Sequence, residues 1–242
     1  MDNLISLEEV DSTNNYLKSR CAELPDGTAV TARVQTAGKG RRGHAWSTND
    51  GMLPLSVLLI DPPECETLTA RVGLAVCGAI AEMYINSPEI GIKWPNDVIV
   101  SSRKVCGILC ESARFGASTA VICGIGINIS QDENYFREVN LPNAGSLLML
   151  TGFAPERQTL LEAIVRNVRS RAVMPFAECL DEYRSRLVNL GRSVKILGAD
   201  GGERIAEAVD VAPNGYLICR GEKGFFEVGS GEVSVRGLDG YI

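Results

Sequence analysis

The stretch Thr36-Ala37-Gly38-Lys39-Gly40-Arg41-Arg42-Gly43-His44-Ala45-Trp46-Ser47-Thr48-Asn49-Asp50-Gly51 decides between two architectures. Its first half fits G-x-G-x-x-G after a predicted strand over 28–35, and Asp61 stands at the spacing of a ribose-binding acid, which is the pattern of a doubly wound dinucleotide fold. Such a loop must open a helix. Here the glycines lead into turn formers with no helical periodicity, so the segment is expected to stay a loop and the doubly wound fold is set aside. What remains is a backbone that can approach a ligand closely, carrying the cations Lys39, Arg41 and Arg42. That combination suits a polyphosphate or an acyl phosphate; a solvated basic loop has the same composition.

Working outward, 4–9 reads as a strand, and Asp11-Ser12 offer a carboxylate and a hydroxyl to cap a helix running to Cys21. An apolar run over 53–60 predicts a buried strand. Leu68, Val72, Val76, Ile80 and Met83 then recur at helical spacing. Short strands are expected over 90–94, 98–100, 105–110 and 120–129, separated by turns too short for crossovers, so they pair antiparallel and the class is α+β. Leu160, Leu161, Ile164 and Val168, then Leu180, Tyr183 and Leu187, predict helices broken near Pro175. After Gly191 the chain becomes short strands over 194–197, 205–211, 216–219, 225–228 and 233–235, punctuated by glycine-rich turns. The expected division is a mixed-sheet domain over 1–190 and a small SH3-like β-barrel over 191–242.

The balance of 242 residues, 24 Lys+Arg against 30 Asp+Glu and 45% apolar residues describes an acidic soluble chain and argues against a generic nucleic-acid binder. No secretory leader and no membrane-length apolar window is visible, so the expected location is cytoplasmic, with no membrane partner. None of the eight cysteines forms CxxC, which predicts reduced, mostly buried thiols and argues against a zinc ribbon. His44 is the single histidine, so no HExxH site exists, and it reads as a solvated loop residue.

Lys93-Trp94-Pro95-Asn96-Asp97 places a cation, an indole and two oxygen-bearing side chains at the end of a strand. Asn96 and Asp97 could hold Mg²⁺ or a ribose, and they equally suit a hairpin turn. Lys104 precedes the strand Val105-Cys106-Gly107-Ile108-Leu109-Cys110-Glu111, and Gly124-Ile125-Gly126-Ile127-Asn128 ends another strand with an amide.

Taken in order, Asp11-Ser12-Thr13-Asn14, Gln35, GKGRRGHAW, KWPND, RKVCGILCE, GIGIN and GSGEVSVR resemble the biotin protein ligase family from Glu9 to Arg236. The resemblance implies a class II aminoacyl-tRNA synthetase/biotin synthetase-like catalytic domain. It implies activation of biotin by ATP and Mg²⁺ to biotinyl-AMP, then transfer to a lysine of a biotin carboxyl carrier domain of acetyl-CoA carboxylase or a related carboxylase. It puts Ser12, Thr13, Asn14, Gln35, Lys39, Gly40, Arg41, Lys104 and Gly107 around biotin. Arg41, Arg42, Trp46, Lys93, Asn96, Asn128 and Arg236 fall to ATP. Lys104, Arg41 and Asp97 are the expected catalytic groups, with Asp97 also the expected magnesium ligand and the candidate base for the acceptor amine. With ten residues before Asp11, the likeness is to the monofunctional type without a DNA-binding domain, so no DNA partner is expected. Homodimers occur in the family. Departures are Pro54 in place of an aromatic, Lys39 for arginine, and His44-Ala45 for longer basic residues. A lipoate-handling relative, or a biotin sensor without turnover, is the alternative these residues leave open.

Overall fold

The computed structural model describes every residue except Met1, Asp2, Ser47, Ala199, Asp200, residues 231–233, Asp239, Gly240 and Ile242. The elements are β1 (Leu4–Val10), α1 (Thr13–Arg20), β2 (Ala29–Gln35), β3 (Met52–Ile60), α2 (Leu68–Glu82), β4 (Ile90–Lys93), β5 (Asp97–Val100), β6 (Arg103–Phe115) and β7 (Ser118–Asn128), followed by α3 (Glu133–Glu138), α4 (Leu147–Thr151), α5 (Arg157–Ala172) and α6 (Phe176–Arg186). A second set comprises β8 (Arg192–Leu197), β9 (Glu203–Val211), β10 (Leu217–Gly221), β11 (Gly224–Val228) and β12 (Ser234–Gly237). Of the strand expected over 233–235, Val233 lies outside the described residues.

The first sheet is ordered β1-β2-β3-β7-β6-β5-β4, with β1 parallel to β2 through α1 and every other pair antiparallel. This is the mixed sheet of the expected α+β class. β3 is an interior strand buried along nearly its whole length, because α5 packs on one face and α1 on the other, while α2, packed beside α5, covers β4, β5 and β6. On the α2 side, Leu55, Val57, Leu74, Ile80, Cys106, Cys123 and Ile125 join one large core; Leu17, Val30, Leu58 and Ile122 form a smaller core beneath α1. The large core continues into the second, antiparallel sheet, ordered β11-β10-β9-β8-β12, through Val194, Ala206, Leu217 and Val235. Trp94, 1% exposed, bridges the two sheets by donating its indole N–H to the Gly215 carbonyl at 3.1 Å.

One local expectation fails. Neither Asp11 nor Ser12 caps α1 with its side chain. Asp11 instead accepts a 2.5 Å hydrogen bond from Asn15, while Ser12, 2% exposed, faces the pocket described below. The breaker at Pro175 is where it was expected, between α5 and α6. The cysteines are free thiols, six of them buried, and among the described residues no helix is long and apolar enough to cross a membrane.

Candidate active site

The glycine-rich loop folds back on itself. Lys39 and Ala45 form an antiparallel bridge, the Gly40 N–H donates to the His44 carbonyl at 2.7 Å and the Trp46 N–H to Gly38 at 2.9 Å, with a single 3₁₀ turn over Arg41–Gly43 at the tip. The turn residues after the glycines thus close a hairpin where a dinucleotide fold would start a helix. His44 is exposed at its edge.

Beneath this hairpin lies a slot on the α1 face of the sheet. Alternation along β6 and β7 sends Cys106, Ile108, Cys123 and Ile125 into the core and leaves Gly107, Leu109, Gly124 and Gly126 facing the slot. Register sets Gly107 opposite Gly126 and Leu109 opposite Gly124, so the floor is almost bare of side chains. The room is used: a Cβ at Gly126 would come within 2.4 Å of the Trp46 indole, and one at Gly124 within 2.4 Å of Asn14 Oδ1. Pro54 lines the slot without interrupting β3; pairing with β2 stops at Leu55 while pairing with β7 runs straight through.

Ser12, Thr13, Asn14, Gln35, Lys39, Gly40, Arg41, Lys104 and Gly107 therefore converge on one pocket. Trp46 and Asn96, expected on the nucleotide side, line the same pocket. The end nearest α1 is polar: Gln35 Oε1 accepts from the Thr13 N–H at 2.8 Å, and at the rim the Lys39 ammonium donates to Asn15 Oδ1 at 2.6 Å. The opposite end is cationic. Arg41 donates to Asn96 Oδ1 at 3.0 Å and to the Ser230 carbonyl, and Lys104 Nζ lies 5.5 Å from the centre of the Trp46 ring.

Behind that end, Lys104 forms a 2.7 Å ion pair with Asp97, which is paired with Lys93 in register. Lys93 is 5% exposed, and burial pulls its ammonium down to about 8; Asp97 opposes that shift, while Lys104, Arg236 and Arg41 add to it. Arg236 is exposed on β12 beside this cluster, and Arg42 lines an adjoining cavity with Arg41, Asn96 and Ser230. Asn128 lies outside the pocket, at the end of β7, where its amide donates to the Gly145 carbonyl at 3.0 Å.

Three participants had no role expected from the motifs, although Glu111 closes RKVCGILCE. Tyr241 donates its hydroxyl to Asp97 Oδ2 at 2.5 Å with its ring 4.2 Å from Lys93 Nζ; burial, then Asp97, push the phenol up, so it remains a hydrogen donor. Ser56 and Glu111 hold Thr13 and Asn14 from behind. A buried serine in an apolar strand is the one sequence signal that could have pointed to any of them.

The slot thus joins a polar end to a cluster of cations through an apolar waist, a shape that suits a ligand carrying a carboxylate. Residues 6–128 match the model of the biotin/lipoate A/B protein ligase family. A Mycobacterium tuberculosis protein named as a biotin ligase for acetyl-CoA carboxylase is 32% identical over 220 residues, 86% of this chain and 80% of its own. A Paracoccus denitrificans protein of the same name is 29% identical over 252 residues, 96% of this chain and 100% of its own. A solved biotin protein ligase from Aquifex aeolicus, in complex with biotin and ATP, superposes with a TM-score of 0.81 at 33% identity, covering 98% of this chain and 100% of that one. The chain belongs to the biotin/lipoate A/B protein ligase family, whose members named here are ligases. Its fold is the synthetase-like one expected from the motifs.

Proposed function

We propose that the protein condenses biotin with ATP to biotinyl-AMP and pyrophosphate, then passes the biotinyl group to a lysine of a biotin carboxyl carrier domain. The observation that carries this reading is that one slot joins hydrogen-bonding groups suited to a ureido ring, Ser12, Thr13 and Gln35, to cations suited to a carboxylate and phosphates, Arg41 and Lys104. Within it, 1–190 is the catalytic unit and 191–242 the barrel that brings Arg236 and the Ser230 carbonyl to its nucleotide side.

In the first step a carboxylate oxygen bonds to the α-phosphorus as the bond to pyrophosphate breaks. Both reactants are anions, so the site must cancel charge without rearranging. Lys104 meets the carboxylate, and Arg41, Lys93 and Arg236 meet the phosphates. In the second step the acceptor amine attacks the acyl carbon and AMP leaves; Lys104 polarises the carbonyl, and Asp97 takes the amine's proton once Tyr241 has released its oxygen. A resident magnesium ion does not fit this donor set. Asp97 is already engaged by Lys104 and Tyr241, and among the described residues no three His, Cys, Asp or Glu converge. Magnesium reaching the site would come on the triphosphate.

The test is biotin-dependent exchange of labelled pyrophosphate into ATP, which isolates adenylation from the carrier. Exchange in the native protein and none in Lys104→Ala is the expected result. Biotin binding with no exchange would leave a sensor, and exchange driven by lipoate in preference to biotin would move the substrate within the family.

A further inference from the structure

Glu111 and Ser56 do not line the pocket, yet together they determine which of its atoms accept hydrogen bonds. Ser56 is fully buried, while Glu111 sits at the outer edge of β6 with its side chain 21% exposed. The Asn14 Nδ2 lies 2.9 Å from Glu111 Oε2 and 3.3 Å from the Leu109 carbonyl. Both are acceptors only, so the NH₂ must face them and Asn14 Oδ1 must face Ser56, 2.7 Å away. Ser56 has one hydrogen, and Asn14 Oδ1 can only accept, so that hydrogen goes to Asn14. Thr13 Oγ1 is also 2.7 Å from Ser56, a closer contact than its 3.0 Å to Gln35 Oε1, so its own hydrogen goes to Ser56.

The consequence appears in the pocket. Thr13 Oγ1 lies 3.0 Å from Gln35 Oε1 but has no hydrogen left for it, so Gln35 Oε1 is held by the Thr13 N–H alone. Thr13 Oγ1 and Gln35 Oε1 then both present lone pairs to a ligand. Glu111 is a stable anchor for this order: burial pushes its carboxyl up, but the hydrogen bonds from Asn14 and Lys18 outweigh that and hold it below its ordinary value. Without the acceptor at 111, the Asn14 NH₂ keeps only the longer 3.3 Å contact to the Leu109 carbonyl, so the amide can turn over; the chain of hydroxyls then reverses and Thr13 donates to Gln35.

We infer that Glu111 and Ser56 are positioning residues that fix the hydrogen-bond polarity of the pocket and so select a ligand offering N–H donors, such as a cyclic urea, over a carboxylic acid without them. This rests on the biotin reading for the ligand's identity, not for the polarity of the pocket.

The test is calorimetric binding of biotin, with lipoate as the probe lacking N–H donors, to the native protein, Glu111→Met, Glu111→Gln, Ser56→Ala and Lys18→Met. Methionine matches glutamate in length and its thioether accepts only weakly, so Glu111→Met should weaken biotin about tenfold or more and narrow its advantage over lipoate. Glu111→Gln restores an acceptor and should stay near native. Ser56→Ala should resemble Glu111→Met. Lys18→Met removes the 3.3 Å ion pair but leaves the acceptor at 111, so it should lower biotin affinity less than Glu111→Met does. In pyrophosphate exchange, Glu111→Met should raise KM for biotin while kcat and KM for ATP hold. Native affinity in both Glu111→Met and Ser56→Ala, or equal losses in KM and kcat, overturns the assignment and leaves the ligase reading intact. Native protein that binds biotin without exchange sinks the ligase reading alone; native protein that binds no biotin sinks both.

Discussion

Replacing Lys93 by methionine should make this protein more stable and less active. The side chain is 5% exposed, and its ammonium falls from the ordinary 10.5 to about 8 because burial outweighs the attraction of Asp97. That fall corresponds to about 3 kcal/mol by which the folded state disfavours the charge. The ring of Tyr241 at 4.2 Å returns part of it, on the order of 1 kcal/mol for a partly desolvated cation over a phenol. Methionine keeps the length and apolar stem, so Lys93→Met should gain about 2 kcal/mol at pH 7. The pH dependence follows from the sign. Below pH 8 the native lysine is charged in both states and the penalty is fully present. Between about 8 and 10.5 the folded state releases a proton that the unfolded chain keeps, so native stability rises relative to the variant and the gap closes. Urea titrations of both proteins at pH 7, 8, 9 and 10 measure that gap directly, since every other titrating group is common to the two. A variant less stable than native at pH 7, or a gap that does not change with pH, would refute the reasoning. A buried charge kept at such a cost fits a residue retained for the nucleotide, and pyrophosphate exchange should drop steeply in the same variant.

Asp97→Asn should slow transfer from preformed biotinyl-AMP to a carrier domain by about a hundredfold, the usual worth of a positioned base; full transfer in a single-turnover assay removes that role. Tyr241→Phe frees Asp97 Oδ2 and should leave the biotin Kd unchanged while speeding that transfer step, and slower transfer would instead make the phenol a helper of the base. Gly126→Ala puts a Cβ within 2.4 Å of the Trp46 indole, so it should displace Trp46 and abolish biotin binding with the far-ultraviolet spectrum unchanged. Arg71 is fully buried, and its guanidinium serves the carbonyls of Pro63, Glu64, Ala172 and Met174; Arg71→Met strands these acceptors and should cost on the order of 3 kcal/mol or more in a urea melt.

The sequence alone determined the elements that rest on periodicity and punctuation. The buried run of β3, the spacing of Leu68 to Ile80 in α2, the break at Pro175 and the glycine-punctuated strands after Gly191 are all local signals, each read from neighbours along the chain. The loop from Gly38 to Gly51 was legible for the same reason, because turn formers in that density cannot continue a helix. The small helices α3 and α4 were overlooked, although Asp132 and Ser146 accept from Tyr135 N and Met149 N as their caps; five or six residues are too few for a period to show. The capping role assigned to Asp11 and Ser12 failed because a tertiary partner, Asn15 for one and the pocket for the other, competes for the same oxygens. Only the tertiary structure decided which residues share the site. Register between β6 and β7 brought Gly107 opposite Gly126, the second sheet brought Ser230 to Arg41, and Tyr241 reached Asp97 across 144 residues. Motif spacing names residues that can do a given chemistry, but the polarity of a hydrogen-bonded chain such as Glu111–Asn14–Ser56–Thr13 depends on which atoms face each other, and that is set by packing of strands distant in sequence.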